Sequence, residues 1–162
     1  MSSPSAITIR RFAPGDGAVL LAMVRALAAD HDLAAHLIAS ASDFDTAFGP
    51  DDGRRGAFIA EVDGKPAGCA IWHGSFSSFR GKEVLYLEDL SVLPEFRRRG
   101  VGRALMRQVA QECRTRGWAS MFWVMMSSNG RGRALYEGLG AEVDDGLAWC
   151  RLRGTALEAL AT

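Results

Sequence analysis

The sequence predicts an α/β chain of the α+β kind, a mixed sheet with helices on both faces. Three observations predict it. Antiparallel strand signals come first, a strand-helix-strand-helix unit follows them, and 162 residues with 48% hydrophobic content make one compact domain with a full core. The expected organisation is a single domain over residues 1–162.

Residues Ala6 to Arg11 alternate apolar and polar, as a half-buried strand does. Asp16 then precedes Val19, Leu20, Met23, Val24, Leu27 and His31, whose spacing lays one apolar stripe on a helix with an acidic start. A weaker helical stretch runs from about Ala34 to Phe48, and GPDDGRRG (49–56) is a turn-rich loop. FIAEV and GCAIW flank Asp63-Gly64-Lys65-Pro66 as an antiparallel hairpin. EVLYLEDLSV (83–92) is a strand ending at Pro94, after which Val101, Leu105, Met106, Val109, Ala110 and Cys113 have helical spacing, stopped by Gly117. MFWVMM (121–126) is expected to be a mostly buried strand, Arg131 to Gly138 a short helix, and Leu147 to Leu152 a last strand.

Nineteen basic residues balance nineteen acidic ones, which argues against whole-surface attraction to nucleic acid or to an anionic membrane. The apolar run Ala18 to Val24 is far short of the roughly 20 residues of a membrane span. No basic-then-apolar leader opens the sequence, and Cys69, Cys113 and Cys150 are widely spaced without a C-x-x-C. A soluble, cytoplasmic protein is expected. His31, His36 and His73 form no metal-ligand pattern, so no metal is expected and a surface or helix-edge role is their default.

The charges are unevenly placed. Residues 97–116 hold seven arginines against Glu112, while residues 13–52 hold seven aspartates against Arg25. Each run reads either as a solvated face or as a site, an anion seat in the first and a cation-attracting mouth in the second. Within the first, Arg97-Arg98-Arg99-Gly100-Val101-Gly102-Arg103 lies where a strand gives way to a helix. Free amides and the helix dipole make such a junction a seat for phosphate, and Gly100 and Gly102 let it approach the backbone. A Walker loop is absent, and Leu105 occupies the position where a dinucleotide fingerprint needs its third glycine.

The spelling that remains, R-x-x-G-x-G/A, together with LYLEDLSVLPEFRRRGVGRALM (85–106), Asn129, Leu135-Tyr136, Gly140-Ala141 and Ile9-Arg10, resembles the GNAT superfamily of N-acetyltransferases. Within it the sequence is most similar to the spermidine/spermine (diamine/thialysine) branch, over most of the chain. The resemblance implies a mostly antiparallel sheet with a splayed parallel strand pair, acetyl-CoA as co-substrate, and a primary amine as acceptor. It implies that the backbone of Leu90, Ser91 and Val92 pairs with the pantetheine arm. The pyrophosphate would rest on the turn of Arg97, Arg98, Arg99, Gly100, Val101, Gly102 and Arg103, with Asn129 and Arg131 also touching the cofactor. Glu88 matches the position of the family's base, and Tyr136 that of the acid that protonates the departing thiolate. Strand alternation expects Asp89 to point away from Glu88 and to pair with an arginine.

In the polyamine enzymes acidic and aromatic residues hold the cation. Their places fall on Ser77, Phe79 and His31 here, with Asp30 and Asp32 adjacent to the last, so polyamine specificity does not carry over. Trp72, Phe76 and Phe79 are alternatives for an acceptor wall or for packing. A homodimer is expected from the family and from the aromatic content around Trp118, Phe122, Trp123 and Trp149. The alternatives are an acyl-CoA-binding domain without turnover, an acetyltransferase for a protein or antibiotic amine, and an RNA-binding module. The last lacks interleaved aromatics on the arginine stretch.

Overall fold

A computed structural model describes residues 6–161. The chain divides at Val124 and Met125 into two compact units. The first carries a five-stranded sheet of β1 (Ile7–Arg11), β2 (Arg55–Val62), β3 (Lys65–Ser77), β4 (Lys82–Val92) and β5 (Met121–Phe122), in that spatial order. Every pairing is antiparallel except the last, β4 with β5. Asp63 and Gly64 both take positive φ, 51° and 75°, the backbone a tight two-residue hairpin requires, and this sets the β2–β3 register.

One sheet face packs against α1 (Gly17–Asp30) and α2 (Ala41–Phe48), the other against α3 (Val101–Thr115). Leu20 and Met23 of α1 meet Ala57, Ile59, Cys69 and Ile71. Alternation sends Phe58 and Trp72 to the opposite face, where Arg116 lies over the Trp72 ring at 4.8 Å and Trp118 meets its edge at 5.9 Å. The expected helix over 34–48 is two pieces, a short 3₁₀ turn at Ala34–His36 and then α2. Ser40 explains the break. Its hydroxyl accepts from the Asp43 amide while its own amide donates to the Asp43 carboxylate, a reciprocal cap that starts a new helix.

Two strand expectations need correction. The ladder of β5 covers Met121 and Phe122 alone, not 121–126, and Val124 and Met126 are exposed. In the second unit, residues 147–152 form no strand, and Leu147 and Trp149 are 80% and 69% exposed. Apolar content marks both segments as strand-like, but a strand forms only where a partner completes its ladder. That unit contains α4 (Gly130–Glu137) and α5 (Thr155–Leu160), the latter without a periodic signal in its sequence. Arg133 of α4 binds Glu137 and Asp145. No helix among the described residues is long and apolar enough to cross a membrane.

A buried carboxylate joins β1, the loop before β2 and the end of α3. Glu112, 4% exposed, accepts from Arg11 at 2.5 Å and from Arg116 at 2.6 Å, and Arg116 also donates to the Gly53 carbonyl. The carboxylate is the buried member, so taking its charge away removes the partner of Arg116, which lies mostly out of solvent, and of the half-exposed Arg11. Glu112→Gln is therefore expected to cost about 3 kcal/mol, a fall of roughly 6–12 °C in melting temperature by differential scanning calorimetry.

Candidate active site

The chemistry-bearing stretch of β4 is shaped by one irregularity. Ile71 lies opposite Asp89 and Trp72 opposite Leu87, so one step on β3 is matched by two on β4, and Glu88 is the additional residue of a β-bulge. A bulge turns two consecutive side chains to one side of the sheet. Asp89 shares the face of its partner Ile71, which packs against α1. Glu88 comes to the same face, its carboxylate 3.8 Å from Nε2 of His73, which stands two residues from Ile71 on β3. Alternation had set Glu88 and Asp89 on opposite faces, and the bulge overturns that.

Asp89 also lacks the arginine expected for it, since none of the ion pairs among the described residues involves it. Burial, with the Glu88 charge beside it, pushes the Asp89 carboxyl up to about 6. The Tyr86 phenol on this face is pushed up as well, by burial first and then by Glu88 and Asp89. Its ring meets His73 at 5.0 Å and Phe122 at 4.9 Å. Two carboxylates, an imidazole and two aromatic rings thus converge. Sequence reasoning missed His73 and Tyr86, because only the strand register sets them opposite each other.

β4 and β5 pair only at Leu85–Met121 and Tyr86–Phe122, so among the described residues no strand pairs with that edge of β4 from Glu88 to Val92. Leu90, Ser91 and Val92 lie on this stretch, and the Ser91 hydroxyl is spent on the Met23 carbonyl at 3.0 Å. Beyond it the chain turns through Pro94–Phe96 into α3. Arg98 and Gly100 take positive φ, 63° and 88°, and Gly100, with no side chain, leaves the first-turn amides of α3 without a cap. Arg97 points away from this turn. Its Nε donates to the Val92 carbonyl at 3.1 Å, and its Nη2 pairs with Asp30. Arg99 lies over the Phe96 ring, the Val101 side chain is buried, and Gly102 and Arg103 continue the first turn.

Most carboxylates of the acidic stretch are engaged in local contacts. Asp16 binds Arg10, Asp30 binds Arg97, Asp43 caps α2, Asp45 accepts from the amides of Gly15 and Gly17, and Asp51 and Asp52 close the loop before β2. His31 is the C-cap of α1, and Asp32 follows with a φ of 57°. Ser77 and Phe79 sit at the β3–β4 turn. Ser77 pairs with Lys82, six residues before Glu88, which separates them from it by roughly 20 Å along the strand. In the second unit Asn129 caps α4 by accepting from the Gly132 amide at 2.9 Å, Arg131 lies in the first turn, and Tyr136 is 8% exposed with its phenol pushed up by burial.

The model of the acetyltransferase (GNAT) family matches residues 21–141. The chain belongs to the GNAT family. It is 32% identical over 94 residues to L-ornithine N5-acetyltransferase NATA1 of Arabidopsis thaliana, covering 58% of this chain and 41% of that protein. To thialysine N-epsilon-acetyltransferase of Bos taurus it is 33% identical over 113 residues, 65% of this chain and 66% of that one. The chain thus spans less than two thirds of the length of these curated relatives. Among solved structures, the aminoglycoside N-acetyltransferase AAC(6')-Iy in complex with CoA superposes with a TM-score of 0.71 at 22% identity, over 95% of this chain and 99% of that one. These place the fold of this GNAT chain, a mixed sheet with one parallel pair, in the family's architecture.

Asp89 carries a cost that stability measurements will read. Its folded pKa of about 6 lies above the ~3.9 of an unfolded aspartate, so the folded state binds more protons between those values and stability falls as pH rises through that window. Asp89→Asn removes the penalty. In urea titrations the variant is expected to exceed the parent by ~2–3 kcal/mol at pH 8 and to match it below pH ~4.

Proposed function

We propose that this chain is an acetyl-CoA-dependent N-acetyltransferase that acetylates a primary amine of a small cationic substrate by direct attack in a ternary complex. The observation that carries the reading is the pair Glu88 and Asp89 on one face of β4, beside an unpaired strand edge that leads into an uncapped helix start. The residues present fit coenzyme A. The edge of Leu90, Ser91 and Val92 offers backbone groups to an amide-bearing arm. The amides from Arg98 to Arg103 offer donors to a pyrophosphate, with the Arg98 and Arg99 side chains close in sequence. Arg97 has a different part in this proposal, holding the end of α1 to the end of β4.

Acetyl-CoA supplies the activated acetyl group. The protein must bring an amine to it in neutral form. An alkylammonium with a pKa near 10.4 gives up its proton at a cost of roughly 4 kcal/mol near pH 7.4. Asp89 and Glu88 attract and orient the cation, the Tyr86 ring flanks it, and Glu88 takes the proton. Tyr136 is assigned the protonation of the departing thiolate, which a phenol held neutral by burial can perform. The relatives named for thialysine and L-ornithine favour a short, amino-acid-like amine over a long polyamine. So does the distance of Ser77 and Phe79 from Glu88. We include a homodimer in the proposal, supported by the exposed Leu147, Trp149 and Leu152.

Gly102→Asp sets a negative charge on the first turn of α3, and acetyl-CoA affinity by isothermal titration is expected to fall more than about tenfold in a folded variant. An unchanged affinity would remove the anion seat. The activity itself is tested by thiol release across a panel of amines, where short diamines and amino acids with an ω-amine are expected to exceed neutral arylamines. Tyr136→Phe is expected to lower kcat by roughly 10²- to 10⁴-fold with acetyl-CoA affinity intact. Tight acetyl-CoA binding without release on any amine would instead make the chain a binding domain.

A further inference from the structure

His73 is the group on the Glu88 face that the mechanism leaves unused. We infer that His73 is a positioning residue behind Glu88, accepting through Nε2 the proton that Glu88 takes from the substrate amine and passing it to solvent. The inference rests on the proposed acetyl transfer and adds to it a residue that neither composition nor motif marks.

Three observations carry it. Nδ1 of His73 lies 3.1 Å from the Gly74 carbonyl, which can only accept, so Nδ1 holds the ring proton and Nε2 presents its lone pair. That Nε2 is the atom that faces Glu88, 3.8 Å from its carboxylate, a gap that one water or a small rotation of the carboxylate closes. The ring rests on Tyr86, and both His73 and Glu88 side chains are about half exposed, 45% and 56%, so the pair touches solvent on one side. The other groups facing it are Asp89 on β4 and Arg55, opposite His73 on β2 and itself paired with Asp52.

The step balances with N–H and O–H bonds alone. The ammonium N–H breaks as the Glu88 O–H forms. Glu88 then returns to carboxylate as Nε2–H forms, and the imidazolium releases that proton to water, ready for the next turnover. The carboxylate that faces Nε2 is that of Glu88 rather than Asp89, so Asp89 takes no part in this second step.

The test compares His73→Phe and His73→Ala with the parent over pH 5.5–9.5. His73→Phe keeps a ring against Tyr86 and removes the proton acceptor. It is expected to lower kcat/KM for the amine at least about tenfold at neutral pH and to strip one ionisation from the acid limb of the profile, with acetyl-CoA affinity unchanged. His73→Ala is expected to recover activity on addition of free imidazole. A His73→Phe variant with parental rates and profile would overturn the inference while leaving the transferase reading standing, as would an alanine variant that imidazole does not rescue. Failure of the parent to acetylate any amine would overturn both.

Discussion

One extra residue in β4 decides on which face of the sheet the two adjacent acids of this strand stand. Without the bulge at Glu88, strict alternation would put one carboxylate of the Glu88-Asp89 pair on each face, and one of them would be driven into the packing of Phe58 and Trp72. With it, the hydrophobic register on both sides survives. Leu87 still meets Trp72 and Asp89 still meets Ile71, while two acids gather on the face of Tyr86 and His73. The bulge therefore reconciles a packed sheet with a concentration of negative charge that a regular strand could not hold. The raised Asp89 carboxyl is the energetic trace of that compromise.

The two charged stretches illustrate how differently the same kind of signal is used. Most of the clustered aspartates, and Arg97 and Arg116 among the clustered arginines, serve as fasteners in space: Asp16 with Arg10, Asp30 with Arg97, and Arg116 with Glu112. What is left for chemistry is decided by backbone geometry more than by charge count. The turn from Arg98 to Gly100 offers amides because two residues there take left-handed conformations and the helix that follows has no capping side chain.

Much of this was legible in the sequence. The Asp63-Gly64 turn, the strands on either side of it, the run from Glu83 to Val92 and the amphipathic α3 all have signals that local physics enforces. The glycine-bearing turn after β4 stood out by its charge and spelling, while Glu88 was singled out only by the family resemblance. The features that were not legible depend on register or on partners. The Ser40 cap competed successfully with a helical pattern that looked continuous from Ala34. Residues 123–126 and 147–152 have strand composition, but composition does not provide a neighbouring edge. The common face of Glu88 and Asp89, and the apposition of His73, follow from a pairing offset that no spacing in one segment reveals.

The Glu112 contact with Arg11 spans 101 residues of sequence. Its consequence is temporal. As the chain leaves the ribosome, β1, β2 and β3 can pair soon after each is made, yet the sheet face bearing Phe58 and Trp72 stays uncovered until α3 emerges, and Arg11 waits equally long for its carboxylate. The nascent protein therefore passes through a stage in which one face of a three-stranded sheet is greasy and open, and that face is covered only once the chain has been made as far as α3.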